Sequence, residues 1–235
     1  MKMKSNLLSL LVIVLLISCK SNSALIDYAT IDHKVDLSRF DKTIAKFEEE
    51  DKVARYSKDL ILFTGSSSIV FWNSLAEDMA PHPVLNRGFG GSILPEMNHY
   101  FDRIVKKYRP KIIFLYCGEN DIAIDYTPEE SYSAYRKFIA LCKADLPETE
   151  IVFISMKPSP SRWDKWTDVD KANKLIESYT KKNDQLHFVD VGPVMMDGTA
   201  PDKSIFVGDM LHMNKEGYRR WTKVIKPVLD NLNKD

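Results

Sequence analysis

An aspartate and a histidine separated by two residues, Asp209 and His212, are a pair with a well-defined catalytic use. A histidine acts as a general base when a carboxylate binds one ring nitrogen, because that bond fixes the tautomer and leaves the other nitrogen to take a proton. The three-residue interval allows one compact loop to supply both groups. Alone, the pair is a weak signal, and it becomes informative only if a nucleophile and an oxyanion site accompany it.

Three earlier motifs contain residues suited to those two roles. Residues 65–68 read Gly-Ser-Ser-Ser, in which the glycine permits a tight turn and a serine could be either a nucleophile or a helix N-cap. Residues 86–92 have three glycines in four positions, which indicates a turn or close backbone approach but not a dinucleotide fingerprint. Residues 118–121 include Asn120, whose side-chain amide can donate a hydrogen bond to an oxyanion without carrying charge.

The elements that must position these motifs alternate along the chain. Short apolar runs, typical of strands buried on both faces of a parallel sheet, occupy residues 60–63, 84–85, 112–116, 151–154 and 188–189. Patterns with helical spacing occupy residues 37–47, 93–108, 127–146, 165–182 and 214–232. The alternation predicts an α/β fold, a three-layer α/β/α sandwich with a mostly parallel sheet of about five strands.

The sequence also predicts where the helices end and where the four motifs lie relative to one another. Pro110 and Pro147 are expected to end two helices, and Thr127 with Glu130 forms a predicted capping box at the start of another. Each of the four motifs lies beyond a predicted strand. Because ligands bind at the carboxyl ends of the strands in such sheets, we expect the motifs to lie together at that edge.

The order and placement of the four motifs resemble the SGNH, or GDSL-like, hydrolase superfamily over about residues 60–218. The resemblance implies a flavodoxin-like order of strands. It implies a catalytic triad and an oxyanion hole, made respectively of Ser67, Asp209 and His212 and of Ser67, Gly91 and Asn120.

One position departs from the superfamily pattern. Ser66 stands where most members have aspartate, and a shift of one residue would make Ser66 or Ser68 the nucleophile instead. The distance from Gly65 favours Ser67, but three adjacent serines leave the alternatives open. The α/β-hydrolase superfamily shares the order Ser, Asp, His, yet its Gly-x-Ser-x-Gly elbow requires glycine where Ile69 stands, so that assignment is rejected.

Ester hydrolysis through an acyl-enzyme on Ser67 is the reaction that the resemblance implies. No metal and no organic cofactor is expected. The expected substrate is a small ester or an acylated carbohydrate, and O-acetyl esters of carbohydrates are weakly favoured over short-chain acyl esters and lysophospholipids. Outside enzymes, the alternative is an inactive envelope binding protein on the same fold, which would be expected to lack a triad member.

The first nineteen residues have the pattern of an export signal. A basic start and an apolar run too short for a stable transmembrane helix end in Leu16-Ile17-Ser18-Cys19. This ending resembles the lipobox of bacterial lipoproteins, which implies lipidation of Cys19, a tether at residues 20–36 and a hydrolase domain at residues 37–235. The expected location is the cell envelope, on the extracytoplasmic side of a bacterial membrane, with the lipid as the only membrane contact. An ordinary secretory signal with an incidental cysteine is the alternative.

The composition argues against nucleic-acid partners and disulfides. Lys plus Arg and Asp plus Glu both number 33, so the formal net charge is zero and nothing indicates a nucleic-acid binder. Cys117 and Cys142 fall in a predicted buried strand and on the apolar stripe of a helix. We therefore expect free buried thiols there.

A proline-rich loop follows the fourth predicted strand and should overhang the site. Within it, Arg162 and Trp163 are candidate substrate contacts, because binding residues are often on loops that a rigid scaffold positions. Packing within the loop is the equally open alternative.

Overall fold

The computed structural model describes residues 35–234, and the predicted signal, the predicted lipidation site Cys19 and nearly all of the predicted tether lie outside the described residues. The strands of the main sheet are β1 (Ile61–Gly65), β2 (Val84–Gly88), β3 (Ile112–Tyr116), β4 (Glu150–Ile154) and β5 (Leu186–Val189). The helices are α1 (Asp41–Asp51), α2 (Ser67–Val70), α3 (Leu75–Asp78), α4 (Leu94–His99), α5 (Phe101–Ile104), α6 (Glu119–Ala123), α7 (Pro128–Asp145), α8 (Trp166–Thr180) and α9 (Lys215–Leu232). Within residues 35–234, no helix combines the length and apolarity needed to span a membrane.

The five main strands form one parallel sheet in the order β2-β1-β3-β4-β5. Ile61 of β1 lies opposite Val84 of the edge strand β2 and Ile112 of the central strand β3. Helices connect each strand to the next, as parallel pairing requires. This arrangement confirms the predicted α/β/α sandwich and its flavodoxin-like strand order.

Successive residues of the central strands enter opposite halves of the core. On β1, Leu62 packs on one face of the sheet with α4, α5 and α7, whereas Phe63 packs on the other face with α9. Both side chains are fully buried. Burial on both faces explains why these strands are continuous apolar runs in the sequence and do not alternate between apolar and polar residues.

The predicted start of α7 is confirmed in detail. Thr127 accepts a hydrogen bond from the backbone N–H of Glu130 at 3.1 Å, and the Glu130 carboxylate accepts the N–H of Thr127 at 2.6 Å. Pro128 occupies the first helical position, where its missing N–H costs nothing.

Two helical predictions need correction. The apolar pattern at residues 93–108 forms α4, α5 and a short 3-10 segment (Lys106–Tyr108), because Tyr100 and Val105 adopt non-helical dihedral angles that break a single helix into pieces. The pattern at residues 37–47 becomes helical only at Asp41. There, Asp36 accepts the backbone N–H of Ser38 at 2.9 Å, and such local side-chain bonds compete with helix formation.

Candidate active site at the carboxyl edge of the sheet

The candidate nucleophile lies in the turn between β1 and α2. Gly65 ends the strand with a φ of +132°, and a Cβ atom there would lie 1.9 Å from the backbone oxygen of Tyr116. Only glycine therefore allows β1 to run so close to β3 and still turn. Ser67 is the first residue of α2, directly beyond this turn.

The three adjacent serines have different environments. Ser66 and Ser68 are buried, with 3% and 2% of their surfaces exposed, whereas Ser67 is half-buried and faces the edge of the sheet. The Oγ atom of Ser67 lies 2.9 Å from Nε2 of His212. The structure therefore brings Ser67 to the histidine and leaves Ser66 as the residue preceding the helix.

The turn that carries Ser67 is held from two sides. The side-chain amide of Asn86 donates to the carbonyl oxygen of Ile69 at 2.6 Å, and its oxygen accepts the N–H of Gly88 at 2.9 Å. From the opposite side, the hydroxyl of Tyr218 on α9 donates to the carbonyl oxygen of Ser68 at 3.0 Å. These bonds fix the backbone directly after the serine.

Asp209 and His212 lie in one loop before α9. Nδ1 of His212 lies 2.6 Å from Oδ2 of Asp209, while Oδ1 accepts the backbone N–H groups of Leu211 and His212, each at 2.9 Å. The backbone hydrogen bond from His212, together with the other bonds to this carboxylate, lowers the pKa of Asp209 to about 2. The aspartate is thus ionised at neutral pH and can hold the proton of the imidazole on Nδ1.

This base loop is open to solvent. The side chain of Asp209 is 47% exposed and that of His212 is 24% exposed. The ring of Phe71 contacts the edge of the imidazole, with centroids 4.9 Å apart and planes at 89°. The loop is closed by the backbone N–H of Val207, which donates to the carbonyl oxygen of His212 at 2.8 Å.

The three candidate oxyanion donors follow strands β1, β2 and β3, which end at the same edge of the sheet. Gly91 has a φ of +83°, and a Cβ atom there would meet nothing within 4 Å, so its conformation and not crowding favours glycine. No hydrogen bond within residues 35–234 engages the backbone N–H of Ser67 or Gly91. The side-chain amide of Asn120 donates one hydrogen to the carbonyl oxygen of Ser92 at 2.9 Å. Because an amide carries two donor hydrogens, the second remains for a bound oxyanion.

Behind Asn120 lies a cluster of buried charges. The carboxylate of Glu119 binds Nζ of Lys157 at 2.8 Å, accepts the hydroxyl of Tyr116 and lies 3.4 Å from the guanidinium of Arg162. Only 1% of the Lys157 side chain and 5% of the Glu119 side chain are exposed. Burial alone would raise the pKa of Glu119, but the adjacent cations lower it below its ordinary value, so the carboxylate is ionised.

A second charged cluster supports the loop of Gly91. Arg39 forms two bonds to the fully buried carboxylate of Glu96, at 2.5 and 2.9 Å, and donates to the carbonyl oxygen of Gly91 at 2.9 Å. Beside it, the buried carboxylate of Asp121 accepts the backbone N–H of Leu94. Burial, with a smaller contribution from Glu96, raises the pKa of Asp121 to about 7.

The two candidate substrate contacts have distinct surroundings. The guanidinium of Arg162 donates to Oδ1 of Asn120 at 2.9 Å, so it is committed to the oxyanion side of the site. Trp163 stacks on Trp166, with centroids 5.8 Å apart and planes at 16°, and is 36% exposed. Its ring is the one that remains available to a ligand.

Several residues at this edge were not predicted from the sequence. Glu119 and Lys157 are adjacent to recognised motifs, since Glu119 precedes Asn120 and Lys157 begins the proline-rich loop, and their position beyond strands β3 and β4 was the available signal. Arg39 offers no sequence signal, because it lies far from every motif and reaches Glu96 only in the folded chain.

A groove of about 570 Å³ opens beside the histidine. Phe71 and Val207 give it exposed apolar walls, whereas Asn73, Glu77 and Lys215 add polar groups. Phe71 links the groove to the candidate base, because its ring also contacts His212.

The other potentially reactive side chains among the described residues are two cysteines, of which Cys117 follows β3 and donates to the carbonyl oxygen of Ser92 at 3.5 Å. Cys117 and Cys142 are free and buried, as predicted. Within residues 35–234, no cluster of three His, Cys, Asp or Glu side chains has an arrangement suited to a metal ion.

This edge of the sheet holds a hydroxyl, an imidazole and a carboxylate in one hydrogen-bonded series, together with three candidate hydrogen-bond donors. With the proton held on Nδ1 of His212, Nε2 can accept the proton of Ser67. The donors can then hold the negative oxygen that forms when the serine attacks a carbonyl group.

Comparisons with known proteins concern the family and the fold of the chain. The model of the GDSL-like lipase/acylhydrolase family matches residues 56–220. A GDSL-like lipase from Bacteroides thetaiotaomicron has a similar structure, with a TM-score of 0.71 at 19% identity over 83% of this chain and 99% of that chain. No curated protein sequence is significantly similar to this chain.

Two carbohydrate-active esterases also share the fold. A family 3 carbohydrate esterase from Clostridium thermocellum has a TM-score of 0.62 at 13% identity over 74% of this chain and 96% of that chain. A variant of an acetyl-xylooligosaccharide esterase from Geobacillus has a TM-score of 0.58 at 14% identity over 77% of this chain and 96% of that chain. At such identities the similarity is one of fold.

Proposed function

We propose that this chain, which belongs to the GDSL-like lipase/acylhydrolase family, hydrolyses carboxylic esters through an acyl-enzyme on Ser67. The observation that carries the proposal is the continuous series of hydrogen bonds from Asp209 to His212 to Ser67, at 2.6 and 2.9 Å. A complete series of this kind favours an enzyme over an inactive binding protein, which has no need to keep all three groups in contact.

The reaction proceeds in two matched halves. Nε2 of His212 takes the hydroxyl proton as Oγ of Ser67 bonds to the ester carbonyl carbon, and Asp209 stabilises the resulting imidazolium. The carbon–oxygen bond to the alcohol then breaks, and His212 gives its proton to the departing alkoxide. Water repeats the sequence: it loses a proton to His212, adds to the acyl carbon and releases the acid, and the proton returns to Ser67.

The oxyanion of each tetrahedral intermediate is assigned to Ser67, Gly91 and Asn120. What supports the assignment is that two backbone N–H groups and one amide hydrogen have no competing partner among the described residues. Donors of this kind act mainly on the transition state, because the charge on the oxygen develops only as the serine adds.

We assign O-acetyl esters of carbohydrates as the substrate class. Two proteins with the same fold act on carbohydrate esters by their names, and one of them on acetylated oligosaccharides. The groove beside His212 combines an exposed ring at Phe71 with polar groups, a combination that suits a sugar, whose faces are apolar and whose edges carry hydroxyls. It lies on the side of the base, where the departing alcohol must receive its proton.

The substrate assignment is tested by a matched series of esters. Acetylated xylo-oligosaccharides, p-nitrophenyl esters of increasing acyl length and a lysophospholipid are compared by kcat/KM. Preference for acetyl over longer chains and for glycan over aryl acetate supports the assignment. Preference for long acyl chains makes the protein a lysophospholipase or acyl esterase instead.

The nucleophile is tested with Ser67→Ala, for which we expect loss of p-nitrophenyl acetate hydrolysis by several orders of magnitude with no change in fold. Ser66→Ala and Ser68→Ala are the matched control variants at the two neighbouring positions. A fluorophosphonate should add its mass to Ser67 in the wild-type protein. Labelling of Ser66 or Ser68 would move the nucleophile by one residue.

We also propose that the protein is anchored to the cell envelope by lipid on Cys19, as the ending Leu16-Ile17-Ser18-Cys19 suggests. Acyl chains contribute about 0.8 kcal/mol per buried methylene, and more than one chain is needed for stable attachment. Cys19→Ala should release the protein from membranes and leave its specific activity unchanged. If the variant still sediments with membranes in high salt, lipid is not the anchor.

A further inference from the structure

Oxyanion binding by Asn120 depends on which way its side-chain amide points. The nitrogen side of the amide attracts a negative oxygen, and the oxygen side repels it. Oδ1 accepts a hydrogen bond from Arg162 at 2.9 Å, and Nδ2 donates to the carbonyl oxygen of Ser92 at 2.9 Å.

These two partners are of opposite kinds, so they select one orientation. A rotation of the amide by 180° would set its NH2 group against the guanidinium, a donor against a donor. It would also set Oδ1 against the Ser92 carbonyl, an acceptor against an acceptor. Both bonds would be lost in a partly buried site, where unsatisfied polar groups are costly.

Arg162 is in turn fixed in place. Its guanidinium lies 3.4 Å from the buried carboxylate of Glu119, which is neutralised by Lys157 at 2.8 Å. The backbone N–H of Arg162 bonds to the carbonyl oxygen of Ser159 at 3.2 Å, and its φ of −127° departs from the 3-10 helix around it (Pro160–Lys165). The proline-rich loop after β4 thereby places the guanidinium of Arg162 beside the amide oxygen of Asn120.

We propose that Arg162 is a positioning residue for ester hydrolysis, which holds the Asn120 amide with its free N–H toward the oxyanion and polarises that N–H. The inference rests on the proposed function. In this proposal Arg162 acts through Asn120 and does not bind the substrate directly. The role of the buried Glu119–Lys157 pair is then to hold Arg162 in place.

The test is a double-mutant cycle on Arg162 and Asn120. Arg162→Ala should lower kcat for p-nitrophenyl acetate about 10–100-fold with little change in KM, less than the loss of the oxyanion donor itself. In the Asn120→Ala background the same change should have almost no effect, because the amide through which it acts is absent. Arg162→Lys should restore part of kcat, since an ammonium can still donate to Oδ1.

Lys165→Ala is the matched control. It removes a cation from the same 3-10 segment, but Lys165 pairs with Asp125 on the surface at 2.8 Å and should leave kcat and KM unchanged. Melting temperatures of all variants show whether any of them is simply less folded.

A second measurement does not depend on turnover. The side-chain amide protons of Asn120, followed by NMR, should exchange with solvent faster in Arg162→Ala than in the wild-type protein or Lys165→Ala.

The outcomes separate this inference from the function it rests on. Equal loss of kcat/KM in both Asn120 backgrounds, or a rise in KM alone, would overturn positioning and make Arg162 a substrate contact. Unchanged exchange of the Asn120 amide would also overturn it. A wild-type protein inactive on every ester would remove the proposed function, while the exchange measurement would still report whether Arg162 holds the amide.

Discussion

The two sides of Ser67 are built from different kinds of contact. On the base side, Asp209 and His212 are 47% and 24% exposed, and the carboxylate is held by backbone N–H groups of its own loop. On the oxyanion side, Lys157 and Glu119 are almost fully buried, and their ion pair joins the loop after β4 to α6.

The difference in exposure fits the chemical role of each side. The histidine must exchange protons with substrate and water in every cycle, so partial exposure is useful there. The oxyanion donors act by being in position before charge develops, and rigid surroundings achieve this without reorganisation during the reaction. We therefore expect substitutions on the base side to affect chemistry alone and substitutions on the oxyanion side to affect chemistry and stability together.

The largest effect is expected from Asp209→Asn on the base side. The amide of asparagine would donate to Nδ1 of His212 and favour the tautomer with its proton on Nε2, which cannot take the proton of Ser67. We expect kcat to fall about 10³–10⁴-fold. The unfolding midpoint in urea should stay within the error of the wild-type value. A large loss of stability would contradict the comparison.

The next effect is expected from Asn120→Ala on the oxyanion side. Loss of one oxyanion donor should lower kcat about 10²–10³-fold and leave KM nearly unchanged, because the donor acts mainly on the transition state. Steady-state kinetics with p-nitrophenyl acetate check this. An unchanged kcat would remove Asn120 from the oxyanion hole.

The variant Lys157→Met should distinguish the two sides most clearly, through its effect on the free energy of unfolding. The change leaves Glu119 buried without its nearest cation, and breaking a buried pair in this way costs about 3–5 kcal/mol. Lys165→Met is the matched control on the surface, where loss of an exposed pair should leave the unfolding midpoint almost unchanged. Urea denaturation measures both. Equal costs would show that the buried pair is not what holds the oxyanion side.

The smallest effect is expected in the pH dependence of stability. The pKa of Asp121 is raised from 3.8 to about 7, so the folded protein holds this proton more tightly than the unfolded chain does. The resulting stability is complete below pH 3.8 and is lost as the pH rises through about 7. In urea titrations at pH 5 and pH 8, Asp121→Asn should therefore lose less stability between the two pH values than the wild type. An unchanged difference would mean that Asp121 does not titrate in this range.

Much of the fold could be predicted from the sequence because its signals are local. The apolar run at residues 112–116 coincides with β3, and the capping pattern at Thr127 marks the residue before α7. The break of residues 93–108 into α4, α5 and a 3-10 segment was not predictable, because periodicity fixes which side chains face the core but not the backbone angles at Tyr100 and Val105.

For the candidate site, the sequence by itself determined the residue types, their order and their place beyond the strands, since parallel strands must end at one edge. The tertiary structure decided which of three serines meets His212, at 2.9 Å, and which charges surround the oxyanion donors. Arg39 and Glu96 are 57 residues apart, and Lys157 and Glu119 are 38 apart. Pairs so distant form only where the crossovers of the sheet bring their loops together, and no local pattern in the chain encodes that distance.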